Sequence, residues 1–112
     1  MKRIYIAGPY TSGDTVQNVS EAIRAGDKIA KAGYYPFIPH LTMFWHLICP
    51  HEYEFWLDQD MAWLLACDYL VRLPGSSSGA DKEVIVAFKA GIPVFFNVEA
   101  EAVVVSIVIN LK

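Results

Sequence analysis

The sequence predicts a doubly wound α/β fold, a three-layer sandwich in which helices cover both faces of a small parallel sheet of four or five strands. Short apolar runs rich in β-branched and aromatic residues alternate along the chain with segments whose apolar residues recur at helical spacing. The two clearest helical segments each end in a glycine, which is a common helix stop. Regular alternation of strand and helix is typical of a parallel sheet with helical crossovers.

Four apolar runs are the predicted strands, and they cover residues 4–7, 34–38, 69–73 and 93–98. The segment 16–33 connects the first two runs as a helix that ends at Gly33. The segment 80–91 connects the last two as a helix that ends at Gly91. Each connection is long enough for a crossover between parallel strands.

The loops at the carboxyl ends of the strands form the predicted ligand site. Open α/β sheets bind their ligands in the crevice at these strand ends. Helical crossovers between parallel strands are almost always right-handed. Because the strands are parallel, their carboxyl ends lie at one edge of the sheet. The loops in question follow Ala7, Ile38 and Leu73.

Two further segments leave alternatives open. Residues 41–50 are aromatic without clear periodicity, which fits either an irregular lid or a short helix. Residues 100–112 are β-branched and apolar on every side, which fits an edge strand or a helix buried in a subunit interface. Either form of this C-terminal segment suggests self-association.

The bulk composition predicts a single folded domain over residues 1–112. Apolar residues make up 54% of the chain and charged residues 19%, which argues against disorder. No continuous apolar run approaches the roughly 20 residues of a membrane span. The net charge of −3 and the absence of a basic run make a nucleic-acid polymer an unexpected partner.

Cysteine usage and the N-terminus point to the cytoplasm. The apolar run before Gly8 is too short for a signal peptide. Cys49 and Cys67 form no CxxC pattern and lie in apolar surroundings, so we expect reduced, buried thiols rather than a disulfide.

The stretch PGSSSGADKE, residues 74–83, offers the first candidate catalytic group. Ser78 and Asp81 resemble a capping box, so the helix is expected to begin near Gly79. Glu83 then lies in the second turn, where the positive end of the helix dipole favours the ionised form that a nucleophile needs. The alternative is structural, because acids near helix starts and serine-rich capped loops are common for stability alone.

The segment WLDQDMAWLLACD, residues 56–68, offers a second carboxyl group. Helical spacing places Asp60 on one face with Trp56, Trp63, Leu64 and Cys67. A carboxyl group on an aromatic face has a raised pKa, as a general acid needs, although a structural Asp that caps a loop is the alternative. If Asp60 and Glu83 meet at the strand ends, they are expected to flank one bond at roughly 5 Å, the separation used in retaining glycoside cleavage.

Other sequence patterns indicate neither a metal nor an organic cofactor. His40, His46, Cys49 and His51 cluster along the chain, but their spacing matches no standard zinc pattern, so they are expected to line or support the lid. The stretch IAGPYTSGD lacks the GxGxxG dinucleotide pattern, and no P-loop is present.

Taken in order, IYIAGPYTSGD, GYYPFIPH, DMAWLLACD and PGSSSGADKEVIVAFKAGIPV resemble the nucleoside 2-deoxyribosyltransferase-like superfamily, which includes nucleoside 5'-monophosphate N-glycosidases. The resemblance spans residues 4 to about 97. It implies a flavodoxin-like, Rossmann-like fold and, in most members, a homo-oligomer. It also implies cleavage of the bond between a base and (deoxy)ribose through a glutamate nucleophile.

The resemblance assigns three catalytic residues. Glu83 matches the nucleophile, Asp60 matches the acid/base aspartate that precedes a tryptophan by three residues, and Tyr5 matches the tyrosine beside the nucleophile. Ser77 stands where the monophosphate hydrolases have a phosphate-contacting serine and the base-exchanging enzymes an aspartate. Pro9, by contrast, stands where some hydrolases have a phosphate-binding serine, so the need for a 5'-phosphate stays open.

The sequence therefore predicts an N-glycosidase or nucleoside deoxyribosyltransferase that acts on a small nucleoside or nucleotide, without a cofactor, as a homo-oligomer and away from membranes. Phe44 or Trp45 is a candidate stacking surface for the base. The other predicted substrate-binding residues are Gly8, Pro9, His40, Ser77 and Gly79. The alternatives are a non-catalytic nucleotide-binding module and a partner protein that associates through its apolar C-terminal segment.

Overall fold

A computed structural model describes residues 2–96 together with Glu99 and Val103. The strands are β1 (Arg3–Ala7), β2 (Tyr35–Phe37), β3 (Tyr69–Arg72) and β4 (Val94–Phe95). The helices are α1 (Thr15–Lys31), α2 (Met43–Ile48), α3 (Tyr53–Leu64) and α4 (Ser78–Lys89), and a 3-10 turn covers Pro39–Thr42. The described strands form one parallel sheet in the order β2-β1-β3-β4, which confirms the predicted α/β fold.

Two apolar layers cover the two faces of the sheet. Successive side chains of a strand point to opposite faces, so β1 contributes to both layers. On one face Ile4 and Ile6 pack against buried residues of α1, and on the other Tyr5 and Ala7 pack against α3 and α4. The central strand is therefore almost wholly buried, and it fixes the positions of helices on both sides.

Glycines end α1 and α4 as predicted. Gly33 and Gly91 have φ of +95° and +74°, the left-handed region that favours glycine. The N–H of Tyr34 donates to the carbonyl of Ile29 at 3.2 Å and so closes the last turn of α1. None of the helices in the part of the chain that the structure describes is long and apolar enough to cross a membrane.

The aromatic segment and the helix after it differ from their predicted forms. Residues 41–50 are mostly helical, because the 3-10 turn leads directly into α2. The helix predicted within residues 56–68 begins earlier, at Tyr53, and ends at Leu64, so Cys67 lies beyond it. Trp63, which was expected to face inward, is 51% exposed and stacks on Phe37 with ring centroids 5.2 Å apart.

Only one of the two cysteines is buried. Both thiols are free, but Cys49 follows α2 on the surface, whereas Cys67 belongs to the apolar layer under α3 and α4. The prediction of buried thiols was wrong for Cys49, because the short helix before it exposes most of its residues.

Part of the C-terminal prediction lies outside the described residues. The fourth predicted strand, 93–98, is observed at Val94–Phe95, while residues 97 and 98 are outside that part of the chain. Residues 100–112 are outside it as well, apart from Val103, which is buried in the apolar layer that α1 covers.

Leu64 anchors α3 to the sheet, and we predict that its truncation destabilises the fold. The side chain is fully buried, so Leu64→Ala should lower the free energy of unfolding by about 3 kcal/mol through lost burial and the cavity left behind. Leu65→Ala is the matched control, because that neighbour is 58% exposed and should change stability by less than about 0.5 kcal/mol. Denaturant unfolding followed by circular dichroism measures both, and equal losses would contradict the proposed anchor.

Candidate active site

A cavity of about 370 Å³ opens at the carboxyl ends of the strands. In the strand order β2-β1-β3-β4, β2 is added on one side of β1 and β3 on the other. Doubly wound folds bind their ligands at the strand ends where the order of addition switches sides in this way. All three predicted ligand loops contribute to the lining, and α3 and α4 supply further residues. From the loops come Gly8, Tyr10, Thr11, Ser12, Pro39, His40, Ser77 and Ser78.

Glu83 is buried at the cavity and held by Tyr5. The side chain of Glu83 is 7% exposed and lies one and a half turns into α4. Tyr5, which is fully buried in the middle of β1, donates its hydroxyl hydrogen to Glu83 Oε2. Burial and the nearby acids raise the pKa of Tyr5 well above its ordinary value, so its hydroxyl stays a donor.

Burial raises the pKa of Glu83 to about 8. The hydrogen bond from Tyr5 lowers this pKa, the charge of Asp60 raises it, and the charge of Arg72 lowers it. The pKa of Glu83 is therefore raised, whereas the sequence predicted that the helix N-terminus would favour the ionised form and lower it. The reason is burial: the side chain is packed against the sheet, and removal from water raises its pKa by more than the helix dipole lowers it.

Asp60 faces the same cavity from α3. Burial raises its pKa to about 6. Its Oδ1 atom is buried and has no hydrogen-bond partner among the described residues. An unpaired buried acceptor costs about 1–3 kcal/mol, so this oxygen does not stabilise the fold through a protein hydrogen bond.

The two carboxyl groups titrate as a pair. The charge of Asp60 raises the pKa of Glu83, which shows that they lie within electrostatic reach of each other. With pKa values of about 6 for Asp60 and about 8 for Glu83, the pair carries one proton between these limits.

His40 is a neutral imidazole with one free acceptor. Its Nε2 lies 3.3 Å from the carbonyl oxygen of Gly8 and 3.0 Å from that of Pro9. Carbonyl oxygens only accept, so Nε2 carries the proton and Nδ1 carries the lone pair. Burial lowers the pKa of His40, which keeps the ring neutral. Nδ1 is buried without a partner in the described structure.

The serine-rich loop caps α4 one residue earlier than predicted. Ser77, not Ser78, is the N-cap, and its Oγ accepts a hydrogen bond from the N–H of Ala80 at 3.1 Å. The helix therefore begins at Ser78. The prediction of a capping box was wrong. Asp81 does not cap the helix and instead forms an ion pair with Arg72 at 3.1 Å.

Arg72 was not singled out from the sequence, although it organises this loop. Its side chain is buried at the end of β3, and its guanidinium donates to the carbonyl oxygens of Leu73 and Gly75. A charged residue inside the apolar run YLVRL is the sequence feature that could have revealed it, since a buried charge must be paired. Arg72 thereby fixes the backbone that leads to Ser77.

Most predicted site residues line the cavity, whereas Tyr5, Pro9 and Trp45 do not. Asp60, Glu83, Gly8, His40, Ser77 and Gly79 are among the lining residues. Pro9 contributes its carbonyl group to His40, and its ring lies against Gly75. Trp45 packs edge-on against Trp56 at a centroid distance of 5.0 Å, and Phe44 is exposed.

The cavity is also lined by residues that the sequence did not assign to substrate binding, namely His46, His51, Tyr53, Trp56 and Leu57. Here the indole N–H of Trp56 donates to His46 Nδ1 at 2.8 Å. The described residues contain no group of three or more His, Cys, Asp or Glu side chains placed to hold a metal ion.

A family model described as a domain of unknown function, DUF7768, matches residues 2–97. The chain belongs to this family. Among solved structures, it is similar to that of a 2-deoxyribosyltransferase from the psychrotolerant bacterium Bacillus psychrosaccharolyticus, with a TM-score of 0.62 and 20% sequence identity. The match covers 84% of this chain and 70% of the enzyme chain. The likeness establishes a shared Rossmann-like fold. A search of curated proteins gave no match.

We predict that Glu83→Gln stabilises this DUF7768 chain at alkaline pH. The pKa of Glu83 rises from an ordinary value of 4.5 to about 8 on folding, so the unfolded state ionises first and stability falls as pH rises between these values. Glutamine keeps an oxygen acceptor for Tyr5 and removes this loss. The variant should therefore be about 5 kcal/mol more stable than wild type at pH 9 and similar to it near pH 4.

Chemical unfolding at a series of pH values measures this difference. Asp58→Asn is the control, because Asp58 is an exposed acid on α3 and its replacement should leave the pH dependence unchanged. A Glu83→Gln variant that is less stable than wild type at pH 9 would show that ionised Glu83 is favoured in the fold.

Proposed function

We propose that the chain cleaves or transfers the N-glycosidic bond of a (deoxy)nucleoside or nucleoside 5'-monophosphate, with Glu83 as the nucleophile. The observation that carries this proposal is the pairing of a buried glutamate, held by Tyr5, with a second acid, Asp60, in one cavity at the strand ends. The solved structure of a 2-deoxyribosyltransferase supports the proposal through its fold.

In the proposed reaction, a carboxylate oxygen of Glu83 attacks the anomeric carbon of the sugar. The bond from that carbon to the base nitrogen breaks, and its electron pair leaves with the base. Asp60 gives its proton to the departing base, so a glycosyl ester of Glu83 and a neutral base result. Asp60, now ionised, removes a proton from water, or from a second base, as that molecule attacks the anomeric carbon and frees Glu83.

The number of protons on the pair fits the mechanism, although in the empty site the proton is on Glu83 rather than on Asp60. The mechanism needs one carboxylate to attack and one carboxylic acid to protonate the base, which is a single proton on two groups. Asp60 and Glu83 hold one proton between about pH 6 and about pH 8. In the empty site this proton favours Glu83, and the Tyr5 hydroxyl is the group that stabilises Glu83 when the proton moves to Asp60.

The cavity has the size and the polar groups for a nucleoside. Its volume of about 370 Å³ falls in the range of small-molecule sites. In the proposed orientation, Gly8, Ser77 and Gly79 face the sugar or its 5'-phosphate, because the N-terminus of α4 offers backbone donors there. The base then lies toward α3, next to Asp60 and Trp56.

We predict that purified protein releases free base from members of a panel of nucleosides and 5'-monophosphates, which chromatography detects. Glu83→Gln should reduce release below detection, because an amide is no nucleophile. Asp60→Asn should reduce it by about 10²–10⁴-fold through loss of the general acid. Asp58→Asn is the control with full activity. Release that survives Glu83→Gln would refute the proposed nucleophile, and binding without release would favour a nucleotide-binding module.

We predict that Ser77 decides between phosphorylated and unphosphorylated substrates. Ser77→Asp keeps an N-cap acceptor for α4 but places a negative charge beside the proposed phosphate position. The ratio of kcat/KM for a monophosphate to that for its nucleoside should fall by about tenfold or more, since like charges repel in a partly buried site. Ser77→Asn, which caps the helix without charge, is the control. An equal ratio in wild type and Ser77→Asp would place the phosphate elsewhere.

A further inference from the structure

His46 lies in the cavity wall with its ring held in one orientation. The indole N–H of Trp56 donates to His46 Nδ1 at 2.8 Å, and the backbone N–H of His51 approaches the same atom at 3.3 Å. The rings of His46 and Trp56 meet edge-on with centroids 5.5 Å apart. Two groups from outside α2 therefore converge on one ring nitrogen.

These contacts determine which nitrogen carries the proton. An indole N–H and a backbone N–H are donors only, so His46 Nδ1 must offer a lone pair. The proton of the neutral ring is then on Nε2. No described residue accepts from Nε2, so this N–H is available to a ligand.

The position of His46 relates it to the base rather than to the sugar. Trp56 and Asp60 are four residues apart on α3, so they share one face of the helix, and both line the cavity. His46 is bonded to Trp56 and so belongs to the wall that carries the proposed acid. This step rests on the proposed function, in which Asp60 protonates the departing base.

We propose that His46 is a specificity-determining residue whose Nε2–H donates a hydrogen bond to an oxo group on the base. An amino group at the corresponding position of the base would point its N–H toward the His46 Nε2–H. Both groups are donors, so both would stay unpaired. The site should therefore favour bases with an oxo group, such as hypoxanthine or uracil, over their amino counterparts, adenine and cytosine. The Trp56 indole enforces this choice, because it prevents Nδ1 from carrying the proton.

The test compares matched oxo and amino nucleosides in wild type and in variants, by kcat/KM and by calorimetric binding to Glu83→Gln, which binds without turnover. Wild type should prefer the oxo member by about tenfold. His46→Asn places an amide oxygen near the Nδ1 position for Trp56 but removes the Nε2–H, so the preference should fall to about one. His46→Gln supplies an N–H near the Nε2 position and should restore part of the preference.

Trp56→Phe keeps the aromatic packing but removes the indole N–H. It therefore tests whether Trp56 fixes the proton of His46 on Nε2, and it should also weaken the preference for oxo bases. Leu47→Ala is the control, because Leu47 is an exposed neighbour on α2 that does not line the cavity. Circular dichroism verifies that each variant is folded.

The outcomes separate this inference from the proposed function. Nucleosides that bind to Glu83→Gln with no oxo preference, or with a preference that His46→Asn leaves unchanged, would overturn the role of His46 and leave the proposed function standing. Folded wild-type protein that neither binds nor cleaves any nucleoside or 5'-monophosphate would overturn both. An oxo preference that His46→Asn abolishes and His46→Gln partly restores would establish the role of His46.

Discussion

The hydrogen bond from Tyr5 to Glu83 is the interaction on which the site and the fold both depend. Tyr5 is in the middle of the central strand, and the layer around it is built from small or branched apolar side chains of α4, including Ala80, Val84 and Ala87. These small residues allow α4 to approach the sheet closely enough for Glu83 to reach the Tyr5 hydroxyl. The core and the candidate site are thus one structure.

The burial that shifts the pKa values of the two carboxyl groups also lowers the stability of the fold when they ionise. Burial raises the pKa values of both Asp60 and Glu83, so ionising either group costs folding free energy that an apolar residue would not cost. Strained or costly groups of this kind are typical of functional sites. The same burial gives the pair its single shared proton near neutral pH, which two exposed carboxyl groups would not hold.

Much of the fold and part of the site could be predicted from the sequence. The apolar runs, the helical spacing and the glycine stops determine the elements, and the parallel topology brings their loops together. The start of α4 was missed by one residue, because Ser77 and Ser78 are both good caps and only the contact with Ala80 selects one. The net effect on Glu83 was also missed, because depth of burial is a property of the packed molecule. Similarly, the turn between α2 and α3 decides that Trp56 rather than Trp45 lines the cavity, and periodicity carries no information about that turn.

The hydrogen bonds of the two histidines at the cavity leave opposite groups unpaired among the described residues. His40 donates to backbone carbonyls and keeps a free acceptor, whereas His46 accepts from Trp56 and keeps a free donor. No lysine or arginine is among the described residues that line the cavity, so a bound phosphate would depend on the backbone donors at the start of α4. A phosphate dianion near Glu83 would raise the pKa of that carboxyl group further and oppose its attack. Any binding free energy that a phosphate adds must therefore exceed this electrostatic penalty, and an uncharged nucleoside avoids the penalty altogether.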